Sequence, residues 1–353
     1  MDEVEFLTEL LQIYSPSRRE EKLASHLVTR MEELGFDARV DEVGNVIGEL
    51  GGANCNSQLV FLGHIDTVPG FIPVRLDDGK LYGRGAVDAK GPLAAFILAA
   101  AQAAPRLRNV SITVIGAVCE EADGEGARHL VHRFRPAMAI IGEPSGWEGI
   151  TLGYKGRLVV HYRLSTPVTH AASSEPSAPE KALELWWQLS SYVSRFNRRR
   201  ARRFDCLDAS LRRINSSSDG FYDHLEMTIG IRTPPGIDVA VLQKKVASWV
   251  NGAELSFTGG EPAFVADKNT PLVRAFLRAI RAMGGRPRFK LKTGTSDMNV
   301  VGPAWNCPIV AYGPGNSSLD HTPNEHIEVE EYLRAIKVLE RACYEVEKWA
   351  DSQ

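Results

Sequence analysis

The chain has 353 residues, 44% hydrophobic and 24% charged, an ordinary globular composition with room for two domains. A net charge of −3 supplies no overall basic field for nucleic acid, and the longest apolar run, Pro92 to Ala104 broken only by Gln102, is too short to span a bilayer. Five cysteines (Cys55, Cys119, Cys206, Cys307, Cys343) without a Cys-x-x-Cys pair argue against a disulfide framework or thiolate zinc site; with an acidic N-terminus unlike a signal peptide, they make a reducing cytoplasm the expected home.

Residues 3–14 and 18–34 carry apolar side chains at helical spacing, and Gly35 closes the second helix. Short strand-type runs follow at 38–41, 45–50 and 58–63. Ala94–Ala103 reads as a helix, 110–118 as a strand, 124–133 as a helix and 138–141 as a strand. Near-continuous apolar strands alternating with helices predict a mostly parallel sheet covered on both faces. The character changes near Gly156. A long alternating strand at 157–165 leads into a Ser/Pro/Ala-rich loop and a helix at 180–196. After an Arg-rich segment come a strand at 224–232, a helix at 238–250 and a strand at 253–258, with one more short strand expected near 206–213. That order is an α+β sandwich. A helix at 271–283, a strand at 308–312 and a C-terminal helix at 329–349 resume the first pattern. The expected fold class is therefore α/β, residues 1–156 and 267–353 forming one domain into which residues 157–266 are inserted.

In parallel sheets ligands gather beyond the carboxyl ends of the strands. His64 and Asp66 stand there after 59–62, Glu120 and Glu121 after 112–118, Glu143 after 138–141, and His321 follows a fourth apolar strand. Residues i and i+2 of a strand end point the same way, so His64 can bind a metal while Asp66 braces it. Asp88, in a glycine-flanked loop, suits a carboxylate shared by two cations. His64 and Glu143 could complete one shell, Glu121 and His321 the other. Glu120 is then left beside the site, where a general base belongs. Any one of these residues alone reads as structural or solvated; the joint pattern points to a dinuclear metal hydrolase.

The motifs His64-Ile65-Asp66-Thr67-Val68-Pro69, Gly83-Arg84-Gly85-Ala86-Val87-Asp88-Ala89-Lys90-Gly91, Glu120-Glu121, Gly142-Glu143-Pro144-Ser145 and Gly313-Pro314-Gly315 ahead of His321 resemble the dinuclear-zinc aminoacylase/carboxypeptidase family, which includes acetylornithine deacetylase and succinyl-diaminopimelate desuccinylase. The resemblance runs along nearly the whole chain. It implies a zinc-peptidase-like catalytic domain, a lid through which two copies dimerise (residues 157–266), and two Zn2+ (or Co2+) ions per subunit. It places His64 and Glu143 on one ion, Glu121 and His321 on the other, and Asp88 between them, with Glu120 as base and Asp66 orienting His64.

The same resemblance singles out His170, which would reach the partner's active site and hydrogen-bond the oxyanion, a role whose loss typically costs ~100-fold or more in rate. Arg232 matches an arginine that binds the substrate carboxylate, for which a guanidinium fork is better suited than an ammonium. Gly294-Thr295-Ser296-Asp297 resembles a turn that lines the substrate pocket, although such a turn also caps whatever element follows it. Where many relatives carry a lid Asn before a hydrophobic-Pro pair, this chain has Asp219 to His224, with His224 a candidate replacement.

Residues 195–213 hold eight arginines (195, 198, 199, 200, 202, 203, 212, 213) against Asp205 and Asp208, a basic patch in an acidic protein. Most such runs are solvated faces; the sharper reading is a docking site for an acidic macromolecule. With Gly153-Tyr154-Lys155-Gly156-Arg157 and Tyr312 to Pro323, the chain looks most like the hydrolases that release lysine or ornithine from the C-terminal glutamate of LysW, a small acidic amino-group carrier protein. Two alternatives are a deacylase of small N-acyl amino acids, such as N-acetylornithine, N-acetyl-lysine or N-succinyl-diaminopimelate, and, more remotely, a non-enzymatic dimeric binding protein.

Overall fold

The computed structural model describes residues 2–51, 55, 57–170, 172 and 174–352. It divides into two compact units. The first comprises the chain up to Gly153, Ala266–Leu291, and everything from Ser296 onward; the second comprises Tyr154–Val265 and Lys292–Thr295. The inserted unit thus starts three residues before the boundary read from sequence, and it claims a short distant segment. Hydrogen bonds explain why. The Lys155 amide donates to the Lys292 carbonyl at 3.2 Å, the Thr295 hydroxyl donates to the Lys155 carbonyl at 3.2 Å, and Arg232 donates to the same hydroxyl.

In the first unit the strands Val110–Ala117, Ser57–His64, Met138–Gly142 and Ile309–Tyr312 lie side by side and parallel. Val46–Leu50 and Asp37–Val40 extend the sheet antiparallel on one side, Gly149–Tyr154 on the other. The four parallel strands are buried along nearly their whole length, as their continuous Val/Ile/Leu runs predict. Register decides where the site lies. Leu62 pairs with Ile141, so His64 and Glu143 stand two residues past one shared level, while His64 itself pairs with Ala117.

The helix expected at Ala94–Ala103 begins earlier, at Lys90, and is buried almost all round. Gly91 and Pro92 read as breakers, yet Pro92 sits in the first turn, where its missing N–H has no helical partner to lose. Phe96 meets Phe61 with ring centroids 4.9 Å apart. A helix at Met298–Trp305 was not legible from sequence because it holds Gly302 and Pro303. A small sheet of His326–Glu328, Lys80–Tyr82 and Arg75–Asp77, and the strands Gly149–Tyr154 and Arg288–Lys292, were likewise missed; each is six residues or fewer.

The second unit is an antiparallel sheet in the order Asp208–Ser218, Tyr222–Thr233, Gly156–Pro167, Glu254–Glu261. The strand expected as a short piece near 206–213 runs for eleven residues. Period-2 alternation buries Leu158, Val160, Tyr162 and Leu164 beside Leu225, Met227, Ile229 and Ile231. The helices Ala178–Asn197 and Val239–Ala247 cover that face with Ala182, Leu185, Leu189, Leu242 and Val246. Ser177 and Glu180 form a reciprocal cap at the start of the longer helix, with Pro179 between them in its first turn.

Candidate metal centre

His64 closes its strand with the ring buried. Its Nδ1 donates to the Asp66 carbonyl at 3.0 Å and lies 3.4 Å from the Asp66 carboxylate, which leaves Nε2 facing Asp88 Oδ1 at 3.3 Å. A histidine held at Nδ1 by a carbonyl presents Nε2 for a metal. Asp66, itself fully buried, accepts from the Ser17 hydroxyl at 2.7 Å and from the amides of Glu120 and Glu121 at 3.0 and 3.1 Å. Those amides follow Cys119, whose left-handed backbone (φ 58°) turns the chain out of its strand.

Asp88 occupies a loop shaped by Gly85 (φ 90°), followed by a cis Asp88–Ala89 peptide. Its other oxygen, Oδ2, is 3.1 Å from His321 Nε2, which also lies 2.8 Å from Glu121 Oε1. His321 is another non-glycine residue in the left-handed region, at φ 61°. Two sets of donor atoms therefore converge within 4.8 Å of one another: His64, Asp88 and Glu143, and Asp88, Glu121 and His321. Asp88 belongs to both.

Electrostatics follow from burial and crowding. Burial works against charge on His64, but Asp66 and Asp88 outweigh it and hold the imidazole well above its ordinary pKa. Burial likewise opposes the Asp88 carboxylate, yet His321 and His64 keep its pKa low. Glu120 is pushed well up by burial and by Asp297, Glu143 and Glu121, with His64 opposing. Burial and Asp88 raise Glu121 against the pull of His321, whose own pKa rises to about 10 through Asp88 and Glu121. Asp66, Asp88, Glu120, Glu143 and Asp297 lie near the His64 imidazole, and Asp88 and Glu121 against that of His321. Oxygen and imidazole donors with an excess of negative charge are what hard or borderline divalent cations take. Two other groups of this kind among the described residues are spent on structure: Asp41 accepts from the amides of Val43, Gly44 and Asn45, while Glu42 pairs with Arg133 and Asp123 with Arg18.

Asp297 is buried, and burial, opposed by His64, lifts its carboxyl to about 7. The Ser296 hydroxyl accepts from the Met298 amide at 3.2 Å and its amide donates to the Asn299 side chain, so Ser296 ties down the turn that leads into the helix whose N-cap is Asp297. Thr295 and Gly294 fall in the second unit, where Thr295 receives Arg232. His170 is exposed in that unit and accepts from the Ala172 amide at 3.1 Å; its neighbour Ala171 lies outside the described residues. His224 is held by Asp219 at 3.2 Å and by Ser165. Arg195, Arg198, Arg199, Arg200, Arg202 and Arg203 are all exposed, although Arg202 pairs with Asp205, Arg203 with Asp208, and Arg200 lies over the Phe196 ring.

Sequence reasoning missed Glu325. Wholly buried, it accepts from Arg84 Nη1 at 2.7 Å and from the amides of Gly85, Val87 and Asp88 at 3.0, 3.0 and 3.1 Å. It also missed Lys90, whose buried ammonium donates to the carbonyls of Leu10 and Ile13 at 3.1 and 2.6 Å.

Residues 60–345 match the model of peptidase family M20/M25/M40. The chain is a member of that family. Among curated M20 relatives, the [LysW]-lysine hydrolase of Deinococcus radiodurans is 43% identical over 346 residues, covering 96% of this chain and 95% of the relative. The [LysW]-lysine/[LysW]-ornithine hydrolase of Sulfurisphaera tokodaii is 30% identical over 351 residues, covering 96% and 95%. Solved M20 structures share the fold. A metallo-carboxypeptidase of Sulfolobus solfataricus aligns with TM-score 0.78 at 20% identity, over 98% of this chain and all of that one. A dinuclear metal-binding peptidase of Bacillus subtilis aligns with TM-score 0.72 at 15% identity, over 98% of each.

Proposed function

We propose that this M20 protein is a dinuclear-metal amide hydrolase of the cytoplasm that releases lysine, or ornithine, from the C-terminal glutamate of a LysW-type carrier protein. One observation carries the chemistry: Asp88 turns one carboxylate oxygen to His64 and the other to His321. The curated relatives named for [LysW]-lysine hydrolysis support the substrate.

His64 and Glu143 would hold one Zn2+ or Co2+, Glu121 and His321 the other, and Asp88 both. Such ions supply Lewis acidity toward a carbonyl oxygen and make a water a nucleophile near neutral pH. Glu120, anchored at its amide by Asp66, takes the proton from the attacking water and returns it to the leaving amine. Asp66 and the Asp66 carbonyl fix the His64 ring while this happens. Arg232, with Thr295, presents a guanidinium fork to the carboxylate of the amino-acid product. His170 of a second copy, brought in by dimerisation through the lid, donates to the oxyanion. The exposed arginines from Arg195 to Arg203 steer the acidic carrier.

The test is an assay of purified protein against lysine-loaded carrier and free N-acetyl-lysine. Turnover of the carrier is expected; rapid turnover of only the free compound would favour a small-molecule deacylase instead.

A further inference from the structure

Glu325 joins two parts of the chain that each bring a candidate ligand. It lies four residues after His321, and its carboxylate closes over the loop that ends in Asp88. One oxygen takes three amides of that loop (Gly85, Val87 and Asp88) while the other takes Arg84, whose Nε is in turn fixed to the Gly70 carbonyl at 2.9 Å. All four partners are within 3.1 Å, and Glu325 is fully buried.

Burying a carboxylate costs several kcal/mol, and a buried ion pair is often no more stabilising than apolar residues of the same volume. Stability alone is therefore a poor reason for this arrangement. What it does fix is geometry: the backbone of Asp88 is tied to the segment that carries His321, and sites of this kind tolerate displacements of only about 0.5 Å. His64 and Glu143 come instead from neighbouring strand ends whose register the sheet sets.

We infer that Glu325 is a positioning residue that sets the distance between Asp88 and His321, and so selectively controls occupancy of the cation position formed by Asp88, Glu121 and His321. This rests on the dinuclear reading of the centre. The carboxylate does not touch the reacting atoms; it acts through the link it makes between the Asp88 loop and the segment carrying His321.

The experiment is Co2+ binding to the metal-free protein, followed by equilibrium dialysis and by the visible absorption of the bound ion, for wild type, Glu325→Gln and Arg84→Lys. Wild type is expected to take up two ions. Glu325→Gln puts an amide NH2 where a carboxylate oxygen accepted, and should weaken one of the two dissociation constants by about 10–100-fold while leaving the other within a few-fold, the range typical for partners that orient metal ligands. Arg84→Lys, which keeps the three amide bonds, should show the same selective loss to a smaller degree. A merely structural role would weaken both ions together. Equal weakening, unchanged binding in the two variants, or variants too unstable to bind either ion would overturn the inference while leaving the dinuclear reading intact. Uptake of fewer than two ions by wild type would instead remove that reading itself.

Discussion

The Asp66 carboxylate accepts a hydrogen bond from the backbone amide of Glu120 at 3.0 Å, while lying 3.4 Å from His64 Nδ1. One buried side chain thus locks a candidate metal ligand on one strand end to the candidate base on the next. The candidate base is held by its backbone, which leaves its carboxylate free of that bond.

If Glu120 moves the proton, Glu120→Gln should lower kcat by about 100- to 10,000-fold, the usual range for a positioned acid–base group. Metal content should stay at the wild-type level, because Glu120 belongs to neither cluster of candidate ligands. Steady-state kinetics with elemental analysis decides it; near wild-type kcat in a metal-loaded variant would remove Glu120 from the mechanism.

Asp88 is the one residue common to both ligand clusters. Chelation should abolish activity, and Zn2+ or Co2+ should restore it. Asp88→Ala should lose both ions from the purified protein, whereas His321→Ala should keep one. Elemental analysis after dialysis against trace metal reads the difference; two ions retained in Asp88→Ala would rule out the shared carboxylate.

Arg198, Arg199, Arg200, Arg202 and Arg203 are exposed at the C-terminal end of the helix Ala178–Asn197 and just beyond it. Replacing the Arg198–Arg203 arginines with Ser should raise KM for a carrier substrate, most strongly at low salt where charges are least screened, and spare small acyl amino acids. Equal KM values for both substrates in wild type and variant, across a salt series, would count against docking.

Arg232 engages Thr295, which is held by the Lys155 carbonyl. Arg232→Lys keeps the charge but not the planar fork, so KM should rise by about tenfold or more, since a hydrogen bond to a charged group contributes ~1.5 kcal/mol or more. A kcat loss with KM unchanged would place Arg232 elsewhere in the reaction.

Burial, partly opposed by Glu325, brings the Lys90 ammonium down to about 7 from its ordinary 10.5. Between about pH 7 and 10 the unfolded chain then binds a proton that the folded chain has released, so stability rises with pH through this window. Urea unfolding of the metal-free protein should show wild type gaining up to about 2 kcal/mol from pH 7.5 to 9.5. Lys90→Met should lack that gain. An equal rise in both proteins would show that Lys90 is not its source.

Much of this protein could be read from its residues in order. Apolar runs of period near one, ending in His64, Glu120-Glu121 and Glu143, mark buried parallel strands and the edge where ligands collect, because a strand buried on both faces has no other composition available. The alternating run from Gly156 to Pro167 marks a sheet with one covered face for the same reason. Tertiary structure alone decided the rest. That Asp88 meets both imidazoles depends on how a loop closes, and the carboxylate closing it, Glu325, stands 237 residues away in a polar stretch that reads as solvated. That Thr295 joins Arg232 depends on long-range contacts within its compact unit, and that Asp297 lies among the acids near His64 depends on those of the other; no local periodicity encodes either. Local pattern reports which face of an element is apolar; it cannot report which distant backbone amides a buried charge will satisfy, since those partners exist only once the chain has folded.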